Sequence, residues 1–273
     1  MKGILKDILL WLLSIAFTLL VVYYQRTTGP TYPRSGSVNI EGVEIGYNLL
    51  RSHGGSGDAP VQVEVPDNTF KGILSFKRYK SNDSWTTREM GFVDGALVDS
   101  LPHQPPAGKV MYKVTLIKNG KSYPLTGEPV ILRFKGAVPL YILIPHILFM
   151  FMVMLFGIRA AVEVFSKGKK TKSYVAITLV SLIAGGLILG PIVQKFAFGV
   201  YWSGWPFGHD LTDNKTIFVF VFWLIAWFKV RKNHMHRIWV IVATVVMLVV
   251  YSIPHSVMGS EIDYTKQNTE QQK

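Results

Sequence analysis

The chain of 273 residues has no cysteine. That excludes disulfides, thiolate metal sites, cysteine nucleophiles and the CxxCH attachment of a haem. Any domain outside the cytoplasm must therefore be held by its own apolar core. Ionisable side chains are also missing from the centres of all but one of the long apolar runs. Pumps and proton channels keep such groups at depth because they form the pathway, so their absence argues against a transport component. No HExxH or comparable spacing sets two metal ligands on one helix face. Acids are scarce as well: 17 Asp and Glu stand against 29 Lys and Arg, a net charge of +12. Such an excess suggests nucleic acid until its placement is considered.

What is present is apolar: 49% of residues are hydrophobic and 13% aromatic. Five runs stand out, at 8–24, 138–158, 174–193, 216–228 and 238–254. A spanning helix needs about 20 such residues, with about 17 tolerated. The fourth run is short, but Lys215 and Lys229 can extend their charged ends to the two interfaces. The first run has basic Lys2 and Lys6 before it, yet "VVYYQRTTG" offers no small-x-small cleavage site. It reads as an uncleaved signal anchor.

The basic residues then fall on one side. Lys2, Lys6, Arg159, Lys167, Lys169, Lys170, Lys172, Lys229, Arg231, Lys232 and Arg237 make eleven if five helices alternate. The opposite short segments hold four, Lys195, Lys215, Lys266 and Lys273. The bias predicts a cytoplasmic N-terminus and an outer C-terminus. It also accounts for most of the positive charge without nucleic acid.

Between the first two runs lie about 110 residues, too long for a loop. "RTTGPTYPRSGS" reads as a linker. Short alternating runs follow, including "VQVEV", "FKGILSFKRYK", "KVMYKVTLI" and "PVILRFKG", separated by turn signals such as "HGGSGDAP" and "SNDS". Asn119-Gly120 is a strong hairpin turn. The pattern predicts an antiparallel β-sandwich. A proline-rich corner, then "AGKVMYKVTLIKNGK", then "EPVILRF" resembles the last strands of a fibronectin type III or immunoglobulin-like domain, over about the last third of 36–136. The resemblance implies that fold, a corner tyrosine at Tyr112 and a bias toward protein contacts, not an activity. Fourteen Lys and Arg against ten Asp and Glu leave residues 25–137 only mildly basic.

Chemistry has few candidates. His146 is the exception at depth, about 12 Å along its helix from Val138. Ile144-Pro145-His146 recurs as Ile253-Pro254-His255. With His209 and Asp210 in "YWSGWPFGHDLTDNKT", these histidines belong to the same outer half, and imidazole with carboxylate suits a divalent metal or an acid-base pair. A haem would need His146 and a second histidine at similar depth. The competing reading is structural. Trp202 and Trp205 form an interfacial aromatic belt, Asp213 caps the fourth helix, and Gly186 and Gly190 form a close-packing Gly-x-x-x-Gly pair.

The sequence therefore predicts five transmembrane helices with an inserted extracytoplasmic all-β sandwich. The divisions are an anchor at 1–25, a linker at 26–35, the sandwich at 36–137, a four-helix membrane domain at 138–255 with an outer loop at 194–215, and a tail at 256–273. The expected role is a non-catalytic accessory or scaffold subunit of a bacterial-type inner-membrane complex, without a cofactor. Its partners are other membrane or periplasmic proteins and the bilayer, not nucleic acid. The alternative is a membrane enzyme, or a metal or haem protein, using His146, His209, Asp210 and His255.

Overall fold

The structure is a computed structural model that describes residues 2–166, 169–208, 211–232, 234–253 and 261–265. The chain divides into two compact units. One is helical and gathers Met1–Pro30, Val138–Phe196 and Val200–Gly259; the other is β-rich and gathers Thr31–Ala137, Ala197–Gly199 and Ser260–Lys273.

The helical unit is built from α1 (Lys2–Thr28), α2 (Leu140–Phe165), α3 (Thr171–Leu182), a π-helical segment (Ile183–Leu189), α4 (Gly190–Phe198), α5 (Leu211–Lys232), a 3-10 turn (His234–Arg237) and α6 (Ile238–Ser252). Among the described residues, three helical stretches are long and apolar enough to cross a membrane: Gly3–Thr28, Leu140–Phe165 and Thr171–Phe198. Polar side chains within them turn back on the backbone. Ser14 Oγ donates to Leu10 O and Thr18 Oγ1 to Ser14 O, both at 2.8 Å, which satisfies hydroxyls where water is scarce. Trp223, Ala226, Val230, Val240 and Ala243 are buried in the core of this unit.

The expected linker at 26–35 contracts. Thr27 and Thr28 hydroxyls donate to the Tyr23 and Tyr24 carbonyls and carry α1 through Thr28. Gly29 and Pro30 then end the helix, and the first strand begins at Arg34. The third apolar run is longer than its composition suggests, continuing through α4 to Phe198, and is interrupted by the π-helical segment.

Among the described residues the β unit has ten strands: β1 (Arg34–Ile40), β2 (Val43–Leu49), β3 (Ser52–Gly54), β4 (Ala59–Glu64), β5 (Lys71–Arg78), β6 (Thr86–Val93), β7 (Ala96–Leu101), β8 (Lys109–Lys118), β9 (Lys121–Pro124) and β10 (Val130–Lys135). One sheet runs β3-β10-β8-β5-β6-β7-β4, with β9 paired to β8; β1 and β2 form a separate hairpin. All pairs are antiparallel except β3 with β10. Three two-residue turns make hairpins: Glu41-Gly42, Asp94-Gly95 and Asn119-Gly120. All six residues have positive φ, as a type I′ turn requires.

One face of the strands supplies a single core, including Ile40, Leu49, Leu74, Leu97, Leu116 and Leu132. Strand β7 escaped the pattern reading because "ALVDSL" does not alternate, its burial running buried-buried-intermediate instead. Its turn, Asp94-Gly95, was the available signal. Tyr112 is fully buried and its hydroxyl donates to Leu50 O at 2.8 Å. Burial pushes its phenol above the usual range. A tyrosine corner bonds to backbone a few residues upstream; here the acceptor lies 62 residues earlier, at the end of β2. The bond ties the β1-β2 hairpin to β8 instead of closing a local corner.

Candidate functional site

The densest stretch of the sequence, "YWSGWPFGHDLTDNKT", begins in a loop, 201–208, that is anchored by the first turn of α5. Asp213 sits in the first turn of α5 and is almost wholly buried. Its Oδ2 accepts from the Ser203 N–H at 2.6 Å, the Gly204 N–H at 3.0 Å and the Gln194 side-chain amide at 3.1 Å. The expected N-cap role is thus corrected: Asp213 spends its acceptor on the preceding loop. Asn214 Oδ1 accepts the Trp205 N–H at 2.7 Å, and Trp202 Nε1 donates to Trp205 O at 3.1 Å. Gly204 has to be glycine here, since a Cβ would lie 2.6 Å from the Asp213 Cβ. The clamp leaves Tyr201, Trp205 and Phe207 exposed. A polar anchor under exposed rings is the chemistry of an interface, either with lipid headgroups or with protein.

The expected ligand set is only partly within the described residues. His209, Asp210 and His255 lie outside them. His146 is described, and its Nδ1–H donates to Gly185 O at 2.9 Å. That carbonyl also accepts the Gly190 N–H across the π-helical segment. A π turn widens the helix and offers its carbonyl sideways, so α2 is joined to this segment by a histidine that holds a carbonyl. Among the described residues no group of three His, Asp or Glu side chains is arranged to hold a metal ion.

The small-residue pair is displaced from its expected place. A Cβ on Gly185 would meet Phe149 Cβ at 2.7 Å, and one on Gly186 would meet Thr216 Cγ2 at 2.9 Å. Gly190 is looser, with 3.5 Å to its nearest atom. Adjacent Gly185 and Gly186 therefore admit α2 on one side and α5 on the other.

Sequence reading missed an ion cluster in the helical unit. Arg159, which follows the second apolar run in the sequence, lies inside α2 and is fully buried. It donates to Glu163 Oε2 at 2.9 Å and to Asp7 on α1. Lys170 Nζ reaches the other Asp7 oxygen at 3.0 Å, and the Lys170 N–H donates to Glu163 Oε1 at 3.2 Å. The guanidinium also lies over the Tyr174 ring at 4.9 Å and the Trp11 ring at 5.4 Å. The hydrogen bond donated to Asp7 holds the Lys170 ammonium above its ordinary range. The i,i+4 spacing of Arg159 and Glu163 was the readable signal; the Asp7 contact was not.

In the β unit, a C-terminal segment is fastened by charge. Glu261 accepts from Lys80 and Lys109. Tyr264 is buried, donates to Gln104 Oε1 at 3.0 Å, and lies under the Arg78 guanidinium at 4.5 Å. Burial alone would raise the Glu261 carboxyl; the hydrogen bonds from Lys109 and Lys80 outweigh it and hold the group below the ordinary carboxylate range. A depressed folded value means that the stabilisation is complete above the unfolded value, about pH 4.3, and is lost as pH falls through the folded one. Glu261→Gln is therefore expected to lower the melting temperature at pH 7. The gap to the unsubstituted protein closes as the pH is taken below 4 in parallel thermal melts. An equal gap at every pH would show that the charge is not what fastens the segment.

No protein-family model, curated protein or solved structure matches this chain.

Proposed function

We propose that the chain is a non-catalytic accessory subunit of a bacterial-type inner-membrane complex. Five helices span the bilayer, the N-terminus is cytoplasmic, and the β unit stands outside as the surface that contacts a partner protein. The observation that carries this reading is the membership of the β unit. Besides 31–137, it takes in Ala197–Gly199 and Ser260–Lys273. Gly136 N–H donates to Ala197 O at 3.0 Å, and Arg133 lies over the Phe198 ring at 4.1 Å. Glu261 and Tyr264 pack on β5 and β8 residues. The chain thus returns to the β unit after its first, third and fifth apolar segments, the parity that five alternating spans require. Helix α5 has 22 residues. Helix α6 has only 15, about 22 Å at 1.5 Å per residue, shorter than a hydrocarbon core of about 30 Å.

The buried Arg159 modifies the charge argument without reversing it. Its charge is spent on Asp7 and Glu163, leaving ten basic residues on the cytoplasmic side of the count. The exposed rings of Tyr201, Trp205 and Phe207 fit an outer interfacial belt.

Because the chain has no cysteine, a single introduced thiol is a clean probe. Ser122→Cys on exposed β9 and Ser166→Cys after α2 are treated in intact cells with a membrane-impermeant maleimide cross-linker. Ser122→Cys is expected to react and to join a reproducible protein partner, while Ser166→Cys stays unlabelled until the membrane is opened. Labelling of Ser166→Cys from outside would overturn the topology. A fully labelled Ser122→Cys protein that joins nothing would overturn the accessory role.

A further inference from the structure

Among the described residues, two of the β unit's uncovered strand edges, those of β2 and β4, line one cleft. In the hairpin, Ile40 and Val43 flank a two-residue turn and form a hydrogen-bonded pair, so by alternation Glu44, Gly46 and Asn48 turn their backbone N–H and C=O groups away from β1. On β4, Val65 N–H donates to Gly95 O, which carries the pairing toward β7 through odd-numbered residues and leaves Gln62 and Glu64 facing outward. Pro60 falls on the same outward set, where a missing N–H costs no ladder bond. Among the described residues, strand β4 ends the large sheet and β2 pairs only with β1. Both edges open into a cleft of about 950 Å³.

The charge of this cleft runs against that of the protein. Its lining includes Glu44, Glu64 and Asp94, all exposed, and neither lysine nor arginine, in a chain of net charge +12. Gly46 leaves its floor open, with no atom within 4 Å of a Cβ built there. Unpaired backbone supplies affinity for an extended chain, and alternate side-chain positions supply selectivity.

We propose that the cleft between β2 and β4 binds an extended, lysine- or arginine-bearing segment of a partner protein, which adds as a strand to the Glu44–Asn48 edge while its basic side chains meet Glu44, Glu64 and Asp94. The inference rests on the reading of the β unit as a protein-contact surface and names where the contact is made and with what chemistry.

The probe is an end-capped alternating lysine–valine hexapeptide, titrated against the full chain in nanodiscs at low salt. Saturable binding that weakens as salt rises is expected. Two changes are each expected to weaken it at least tenfold: Glu44→Lys with Glu64→Lys in the protein, and N-methylation of alternate peptide amides, which keeps the charge but abolishes pairing. A glutamate–valine peptide should not bind. No saturable binding, equal binding by the double variant, or equal binding of the N-methylated peptide would each overturn strand addition in this cleft. A change of oligomeric mass in the double variant would assign the edge to a second copy of the chain and overturn it equally. The partner captured through Ser122→Cys separates the two readings. If capture survives Glu44→Lys/Glu64→Lys while the peptide fails, the accessory role stands and the cleft is removed from it.

Discussion

Replacing Arg159 by alanine is expected to destabilise the helical unit by about 3–5 kcal/mol, the range for removing one partner of a buried ion pair. The guanidinium is fully buried and bridges two carboxylates from two helices. Its loss leaves Glu163, itself buried, without its cation, and releases Asp7 on α1 to Lys170 alone. Arg159→Lys keeps one charge but not the planar fork that reaches both acids and lies over Tyr174, so it is expected to fall between. The ion cluster makes a sharper claim when removed as a whole. Arg159→Met combined with Glu163→Met should recover much of the loss, because no unpaired buried charge remains on α2. Thermal unfolding in nanodiscs checks the series. If Arg159→Ala melts with the unsubstituted protein, the cluster does not hold α1 to α2. If the double substitution is worse than the single one, packing and not charge is what the site supplies.

The features legible in the sequence are those fixed by local repetition. The apolar runs announce helices by their length, and Asn119-Gly120 announces a hairpin because few residue pairs tolerate two positive φ angles in succession. Features that depend on a distant partner were not legible. Arg159 stands next to a lysine-rich loop and resembles it in composition; only the fold brings Asp7 to it across more than 150 positions. His146 was conspicuous as an imidazole at depth, but its acceptor is a carbonyl supplied by a π-helical segment, and no residue pattern marks that segment. The parallel pairing of β3 with β10 is likewise a long-range event carried by three residues. Asp213 sits between these cases. Its position at a helix start was readable, and that position favoured a cap. What could not be read is that the loop before it folds back so that Ser203 and Gly204 compete for the same oxygen.

That competition makes Asp213 the other site of large effect. In a cap, asparagine serves about as well as aspartate, so a capping Asp213 would tolerate Asp213→Asn. In the observed clamp, one carboxylate oxygen gathers two backbone N–H groups and the Gln194 amide. Hydrogen bonds to a charged acceptor contribute about 1.5–3 kcal/mol each, and an amide has neither the charge nor a guarantee of presenting oxygen to all three donors. Asp213→Asn is therefore expected to cost about 1–3 kcal/mol, and Asp213→Ala, which strands the donors, about 2–5 kcal/mol. The loss should be local. Amide exchange across 199–208 is expected to accelerate in both variants, while α2 and α3 exchange as before, because their core does not include the loop. Release of the loop would also free Trp205, whose N–H is held by Asn214, and so unmake the presentation of Trp205 and Phe207 at the surface. If Asp213→Asn matches the unsubstituted protein in stability and in loop exchange, the carboxylate is a cap after all. The exposed rings would then be held by Asn214 and the turn alone.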